Sequence, residues 1–178
     1  GIDAISKGAD IITDVRMAEV GISRERLSQF GGTVKCFVAD ADVVRYAKQN
    51  SMTKSAAAMR KALGLMEEAR SKKSEARSQK TEHLASCLLP LASNTIVAVG
   101  NAPTALLELI KMIKAGHAKP ALVIGVPVGF VDAEESKEEL MKLDIPYISI
   151  KGKKGGSTVA VAIVNALLML AEGKHAHP

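Results

Sequence analysis

Aromatic side chains are scarce in this 178-residue chain, with three Phe, two Tyr and no Trp. A groove for single-stranded nucleic acid stacks successive bases on such rings, so the net charge of +5 does not point to nucleic acid. The charge is also local. From Arg60 to Lys80 there are seven Lys/Arg against three Glu, which is nearly the whole surplus, and the rest of the chain is almost neutral. Cysteine is rare too. Cys36 and Cys87 stand apart from each other and from any histidine at metal-ligand spacing, so they read as small buried hydrophobes in a reducing cytoplasm. Neither a disulfide nor a metal site is expected. No run approaches the roughly 20 apolar residues that span a bilayer, and nothing at the start resembles a secretory signal; no membrane association is expected. Dinucleotide and P-loop glycine motifs are missing, as are a nucleophile elbow and a convincing His/acid pair.

What is present is an alternation of apolar strands and helical patterns. Ile2 to Lys7 is helix-like. Ile11-Ile12-Thr13, Thr33 to Ala39, Thr95 to Val99, Ala121 to Ile124 and Pro146 to Ile150 read as five strands. Helical patterns run from Asp40 or Asp42 towards Gln49, onward from Thr53, and over about 103–115, 133–143 and 157–171. Continuous apolar strands separated by helices specify an α/β fold: a doubly wound, mostly parallel sheet in a three-layer α/β/α sandwich. The length fits a single domain over 1–178. Residues 64–82 are polar and charged and read as a solvated insertion, with a partner-docking surface as the other reading; 173–178 read as a flexible tail.

Ligands of open parallel sheets bind beyond the carboxyl ends of the strands. The unusual peptides of this chain all fall at that edge. Thr13, Asp14 and Arg16 follow the first strand; Gly100, Asn101, Pro103 and Thr104 follow the third; Pro127, Val128, Gly129 and Phe130 follow the fourth. Lys154, Gly155, Gly156, Ser157 and Thr158 follow the fifth, beside Lys151 and Lys153. Two glycines allow a close backbone approach, and Ser157 or Thr158 can cap a helix whose first N–H groups attract an anion by about 0.3–1 kcal/mol. The alternative is a glycine turn flanked by solvated lysines. Asn101 can cap the helix opened by Pro103, or the peptide is plain helix initiation. Asp132, Glu134 and Glu135 read as acids opposing a helix dipole. Together the loops describe a cleft with anion-binding rims and an apolar floor, suited to a large apolar ligand carrying several carboxylates or phosphates.

Four of these peptides are specific. GNAPTALLEL at 100–109, IGVPVGFVDAEESKEEL at 124–140, KKGGSTVAVAIVNALL at 153–168 and ADIITDVRMAEVGI at 9–22 closely resemble the precorrin-8X methylmutase (precorrin isomerase) family. The resemblance covers residue 1 to about 172, interrupted by the charged segment. It implies a homodimeric α/β/α isomerase that moves a methyl group from C-11 to C-12 of precorrin-8X or cobalt-precorrin-8 in cobalamin biosynthesis. The product is hydrogenobyrinate or its cobalt counterpart. The shift is a suprafacial 1,5-sigmatropic rearrangement that uses no redox cofactor, and the corrinoid tetrapyrrole carries acetate and propionate arms. The expected substrate-binding set is then Thr13, Asp14, Arg16, Lys54, Asn101, Thr104, Pro127, Val128, Gly129, Phe130, Lys154, Gly155, Gly156, Ser157 and Thr158.

Two departures from the family pattern stand out. In the family a histidine in a strand ahead of the block matching Ile11 to Arg16 protonates the substrate, and no residue here corresponds to it. No catalytic residue is therefore assigned, and the chain, with an uncapped opening helix and no initiator Met, is expected to be N-terminally incomplete. Where the family has Thr-Arg-Ser-Ala-Ala, this chain has Thr53-Lys54-Ser55-Ala56-Ala57, which keeps the charge but loses the two-pronged carboxylate grip of arginine. Two other readings stay open: a non-catalytic tetrapyrrole-binding relative, and a phosphate-ligand-binding α/β domain.

Overall fold

The structure is a computed structural model that describes residues 1–66 and 94–175. Most of the charged segment 64–82, together with His83, Cys87, His177 and the end of the tail, lies outside the described residues.

Five strands form one all-parallel sheet in the order β2-β1-β3-β4-β5. They are β1 (Asp10–Thr13), β2 (Val34–Lys35), β3 (Thr95–Val99), β4 (Leu122–Gly125) and β5 (Tyr147–Ser149). The helices are α1 (Ile2–Ser6), α2 (Arg16–Gly21), α3 (Arg24–Gln29), α4 (Ala41–Gln49), α5 (Lys54–Ala62), α6 (Pro103–Lys114), α7 (Ala133–Met141) and α8 (Ser157–His175). The α/β reading holds, with the sheet parallel throughout.

Register explains how a continuous apolar strand serves two layers. Ile96 pairs with Ile11 and Leu122, while Val97 pairs with Ile12 and Val123. Residues level with each other in a parallel sheet share a face. Ile11, Ile96, Ala98, Leu122 and Ile124 therefore pack with Ile5, Leu27, Ala160, Val164 and Leu168. Val97, Val99 and Val123 pack on the opposite side with Met59, Leu106, Leu109, Ile110 and Leu140. Both faces of the central strands are covered, and β3 is buried along its whole length. Each fully buried Leu or Ile stabilises the fold by about 1.5–3 kcal/mol, so the two layers hold the sheet edge firmly.

Local chemistry sets the element ends. The Thr53 hydroxyl accepts from the Ala56 N–H and opens α5. Pro103 occupies the first turn of α6, where its missing N–H costs nothing. The second strand is shorter than expected: only Val34 and Lys35 pair, with Ile11 and Ile12, because β2 is an edge strand with one neighbour and the chain turns at Phe37 to Asp40. Asp40 precedes α4 but makes no side-chain cap; its carboxylate binds the Lys61 ammonium at 2.7 Å, as does that of Asp42.

The last helix revises the expectation about apolar runs. Ser157–Lys174 is long and apolar enough, by length and composition alone, to cross a membrane. Its packing makes it a layer of the sandwich, since Ala160, Val164, Leu168 and Ala171 lie buried against the sheet. Met169 and Leu170 face outward.

Candidate functional site

The carboxyl edge is assembled by contacts that no single loop could supply. Asp14, at the end of β1, is almost fully buried, and its carboxylate accepts from three successive backbone N–H groups. Gly100 donates at 3.0 Å, Asn101 at 2.8 Å and Ala102 at 2.7 Å. These are the groups ahead of α6 that would otherwise lack partners. Burial pushes the Asp14 carboxyl above its ordinary value, while the three donors pull the other way. Asp14, rather than Asn101, thus organises the start of α6: Ala102 occupies the cap position and the Asn101 side chain makes no cap bond. The exposed Asn101 is left free to face a ligand.

Two close approaches join the other loops. A Cβ on Gly100 would lie 2.6 Å from the Ser157 Cα, so only glycine lets the start of α8 lean on the loop before α6. A Cβ on Gly155, at φ +153°, would lie 2.2 Å from the Val126 carbonyl oxygen, and the Gly156 N–H donates to that same oxygen at 2.9 Å. The Gly129 N–H donates to the Lys153 carbonyl at 3.4 Å. The loops after β4 and β5 therefore form one unit. Across the cleft, the Thr53 hydroxyl donates to that of Thr104 at 2.9 Å and ties the start of α5 to that of α6.

Of the expected binding residues, Arg16, Lys54, Asn101, Val128, Phe130, Lys154 and Thr158 are exposed at this edge. Pro127 and Gly156 are buried supports, and Gly129, Gly155, Thr104 and Ser157 are half-buried. Thr13 is buried, and its hydroxyl donates inward to the Val15 carbonyl at 3.3 Å. Ser157 and Thr158 do not act as caps. Both belong to the first turn of α8, and neither hydroxyl takes a backbone N–H, because the glycines place the helix start one residue earlier. Phe130 is 89% exposed, with the Lys153 ammonium 5.8 Å from its ring centre.

The electrostatics favour an anion. Arg16, Lys54, Lys151, Lys153 and Lys154 form no ion pair with any described residue, whereas Lys35, Arg60 and Lys61 are all paired with carboxylates. No group of His, Cys, Asp and Glu capable of holding a metal occurs among the described residues. His117 lies between α6 and β4, hence at the opposite edge of the sheet.

One buried residue was not anticipated. Lys137 on α7 is fully buried, and its ammonium donates to the Lys154 carbonyl at 2.7 Å. Burial pulls its pKa below the ordinary lysine value. Ala133, Ser136, Lys137 and Leu140 are the buried residues of α7, an i, i+3, i+4, i+7 stripe that the sequence carries in plain view.

The fold and edge thus define a three-layer α/β protein whose strand ends carry unpaired cations and backbone donors around an apolar loop. The family described as CbiC, precorrin-8X methylmutase, matches residues 1–170, and the chain belongs to it. The chain is 45% identical over 172 residues to a cobalt-precorrin-8 methylmutase of Priestia megaterium, covering 97% of this chain and 65% of that one. It is 41% identical to the enzyme of the same description from Leptospira interrogans, covering 96% and 69% respectively. The crystal structure of a precorrin-8X methylmutase from Thermus thermophilus superposes with a TM-score of 0.75 at 38% identity, covering 97% of this chain and 72% of that one. The chain spans about two thirds of the length of the curated relatives it matches.

Proposed function

We propose that this chain forms the corrinoid-binding body of a methylmutase that shifts a methyl group from C-11 to C-12 of precorrin-8X or cobalt-precorrin-8. The observation that carries the reading is the convergence of unpaired cations and helix starts on one sheet edge, around the exposed Val128 and Phe130. A corrin macrocycle is a broad apolar plate with carboxylate arms. Such a plate fits an apolar loop, and its arms fit Arg16, Lys54, Lys154 and the start of α8. Since a sigmatropic shift exchanges bonds within the substrate, the contribution asked of the protein is orientation and local charge.

Dimerisation is part of the same proposal. Met169 and Leu170 on α8 are 58% and 57% exposed, and Met17 and Val20 project from α2, which packs beside α8. Burying such a face against a second copy would remove these side chains from water. The free, buried Cys36 fits a reducing, cytoplasmic setting.

Titration with hydrogenobyrinate, followed by its visible spectrum, tests the binding step, and incubation with precorrin-8X tests turnover. The expected result is saturable binding that weakens as salt rises. Absence of binding, or preference for a phosphate ligand over corrinoid carboxylates, would refute the proposal. A second reading is a tetrapyrrole-binding relative without turnover. Tight binding with no conversion by the whole natural protein is its signature.

A further inference from the structure

Lys137 is out of place by every ordinary expectation for lysine. It is fully buried, no carboxylate forms an ion pair with it, and its one hydrogen-bond acceptor among the described residues is a carbonyl, that of Lys154 at 2.7 Å. A buried ammonium carries a desolvation cost that a hydrogen bond to a carbonyl offsets only in part. The bond here constrains the peptide linking Lys154 to Gly155. That peptide is trans, so its C=O and N–H point in opposite directions. With the carbonyl drawn inward to Lys137, the Gly155 N–H is turned away from the core. It donates to no acceptor among the described residues, in contrast to the Gly156 N–H, which donates to the Val126 carbonyl.

We infer that Lys137 is a positioning residue for the anion-binding loop: it fixes the Lys154–Gly155 peptide so that the Gly155 N–H is presented, beside the start of α8, to a carboxylate arm of the corrinoid. The assignment rests on the methylmutase reading for its ligand, and on geometry alone for the loop. The loop has three further fastenings, all pulling the same way. The Gly156 N–H holds the Val126 carbonyl, the Gly129 N–H holds the Lys153 carbonyl, and Gly155 sits too close to Val126 to accept a side chain. None of the three fixes which way the Lys154 carbonyl faces; Lys137 does. A neutral donor of similar reach would do the same, whereas an apolar side chain would leave the peptide free to flip.

The experiment compares wild type, Lys137→Met and Lys137→Gln. Hydrogenobyrinate affinity is measured by visible titration, amide exchange at Gly155 and Gly156 by NMR, and unfolding by heat. Lys137→Met is expected to fold, to lose at least tenfold in protection at Gly156, and to bind hydrogenobyrinate at least tenfold more weakly. Lys137→Gln, which restores a donor without charge, is expected to recover most of both. In wild type the Gly155 amide resonance moves downfield on saturation with hydrogenobyrinate, a test that needs no variant. A lowered melting temperature with unchanged affinity, or a Gly155 resonance that stays put on saturation, overturns the assignment. If wild type itself does not bind hydrogenobyrinate, the methylmutase reading falls. Gly156 exchange in ligand-free Lys137→Met then still decides whether Lys137 sets the loop.

Discussion

Truncating Asp14 is the sharpest test of how the edge is built. In Asp14→Ala the N–H groups of Gly100, Asn101 and Ala102 lose their acceptor together. Asn101 is exposed and its N–H can turn to water, but Gly100 and Ala102 are buried. An unsatisfied buried donor costs about 1–3 kcal/mol, so two of them predict about 2–6 kcal/mol. Removing the carboxylate also removes the burial cost that pushes its pKa up, which places the expected loss in the lower part of that range. That is a large part of the 5–15 kcal/mol typical of a domain. Urea unfolding at an unchanged m-value measures it directly. Asp14→Asn keeps one acceptor oxygen but aims an NH2 at a donor, so it should fall between wild type and alanine. Hydrogenobyrinate affinity should drop with both variants, since the loop before α6 loses its anchor. A loss below about 1 kcal/mol for Asp14→Ala would refute the reasoning, because it would mean that water reaches all three groups.

Other perturbations separate loop geometry, surface charge and ligand grip. Gly155→Ala places a Cβ against the Val126 carbonyl at positive φ; a loss of about 1–3 kcal/mol in urea unfolding, with weaker corrinoid binding, is expected, and unchanged stability would rule out the close approach. Glu139 is held at a pKa of about 2 by the ammonium groups of Lys114 and Lys142, below its ordinary 4.5. Its folded pKa is depressed, so its contribution is present above pH 4.5 and is lost as pH falls towards 2. Glu139→Gln should flatten that part of the stability–pH curve, and an identical curve would sink the assignment. Lys54→Arg supplies a planar fork at an exposed position with no ion-pair partner among the described residues. Tightening of hydrogenobyrinate binding by about threefold to tenfold is expected in visible titrations, and no change would show that this position does not touch a carboxylate.

The layers were legible because burial on both faces leaves an unmistakable mark. Ile96 to Val99 is an unbroken apolar run, and the helices have capping or first-turn residues such as Thr53 and Pro103 that announce themselves. The second strand was overread because Val34, Cys36 and Val38 alternate as a strand would, whereas pairing depends on a neighbour that the sequence does not display. The loops were legible as chemistry but not as partners. Asp14 looks like a ligand-facing acid beside Arg16, yet its bonds run to residues 86–88 positions away. No local pattern could forecast that, because it depends on β1 and β3 lying side by side with Thr13 level with Ala98. Lys137 is the opposite case. Its place between Ala133 and Leu140 on a helical stripe could be read directly, but a lysine among ESKEE invites the assumption of a solvated face. Periodicity outranks residue type there: the stripe decides which side of α7 faces the core, and the ammonium follows its backbone inward to the Lys154 carbonyl. Polar residues on a buried stripe are thus the places where a sequence of this fold announces which loops must be held, before any ligand is considered.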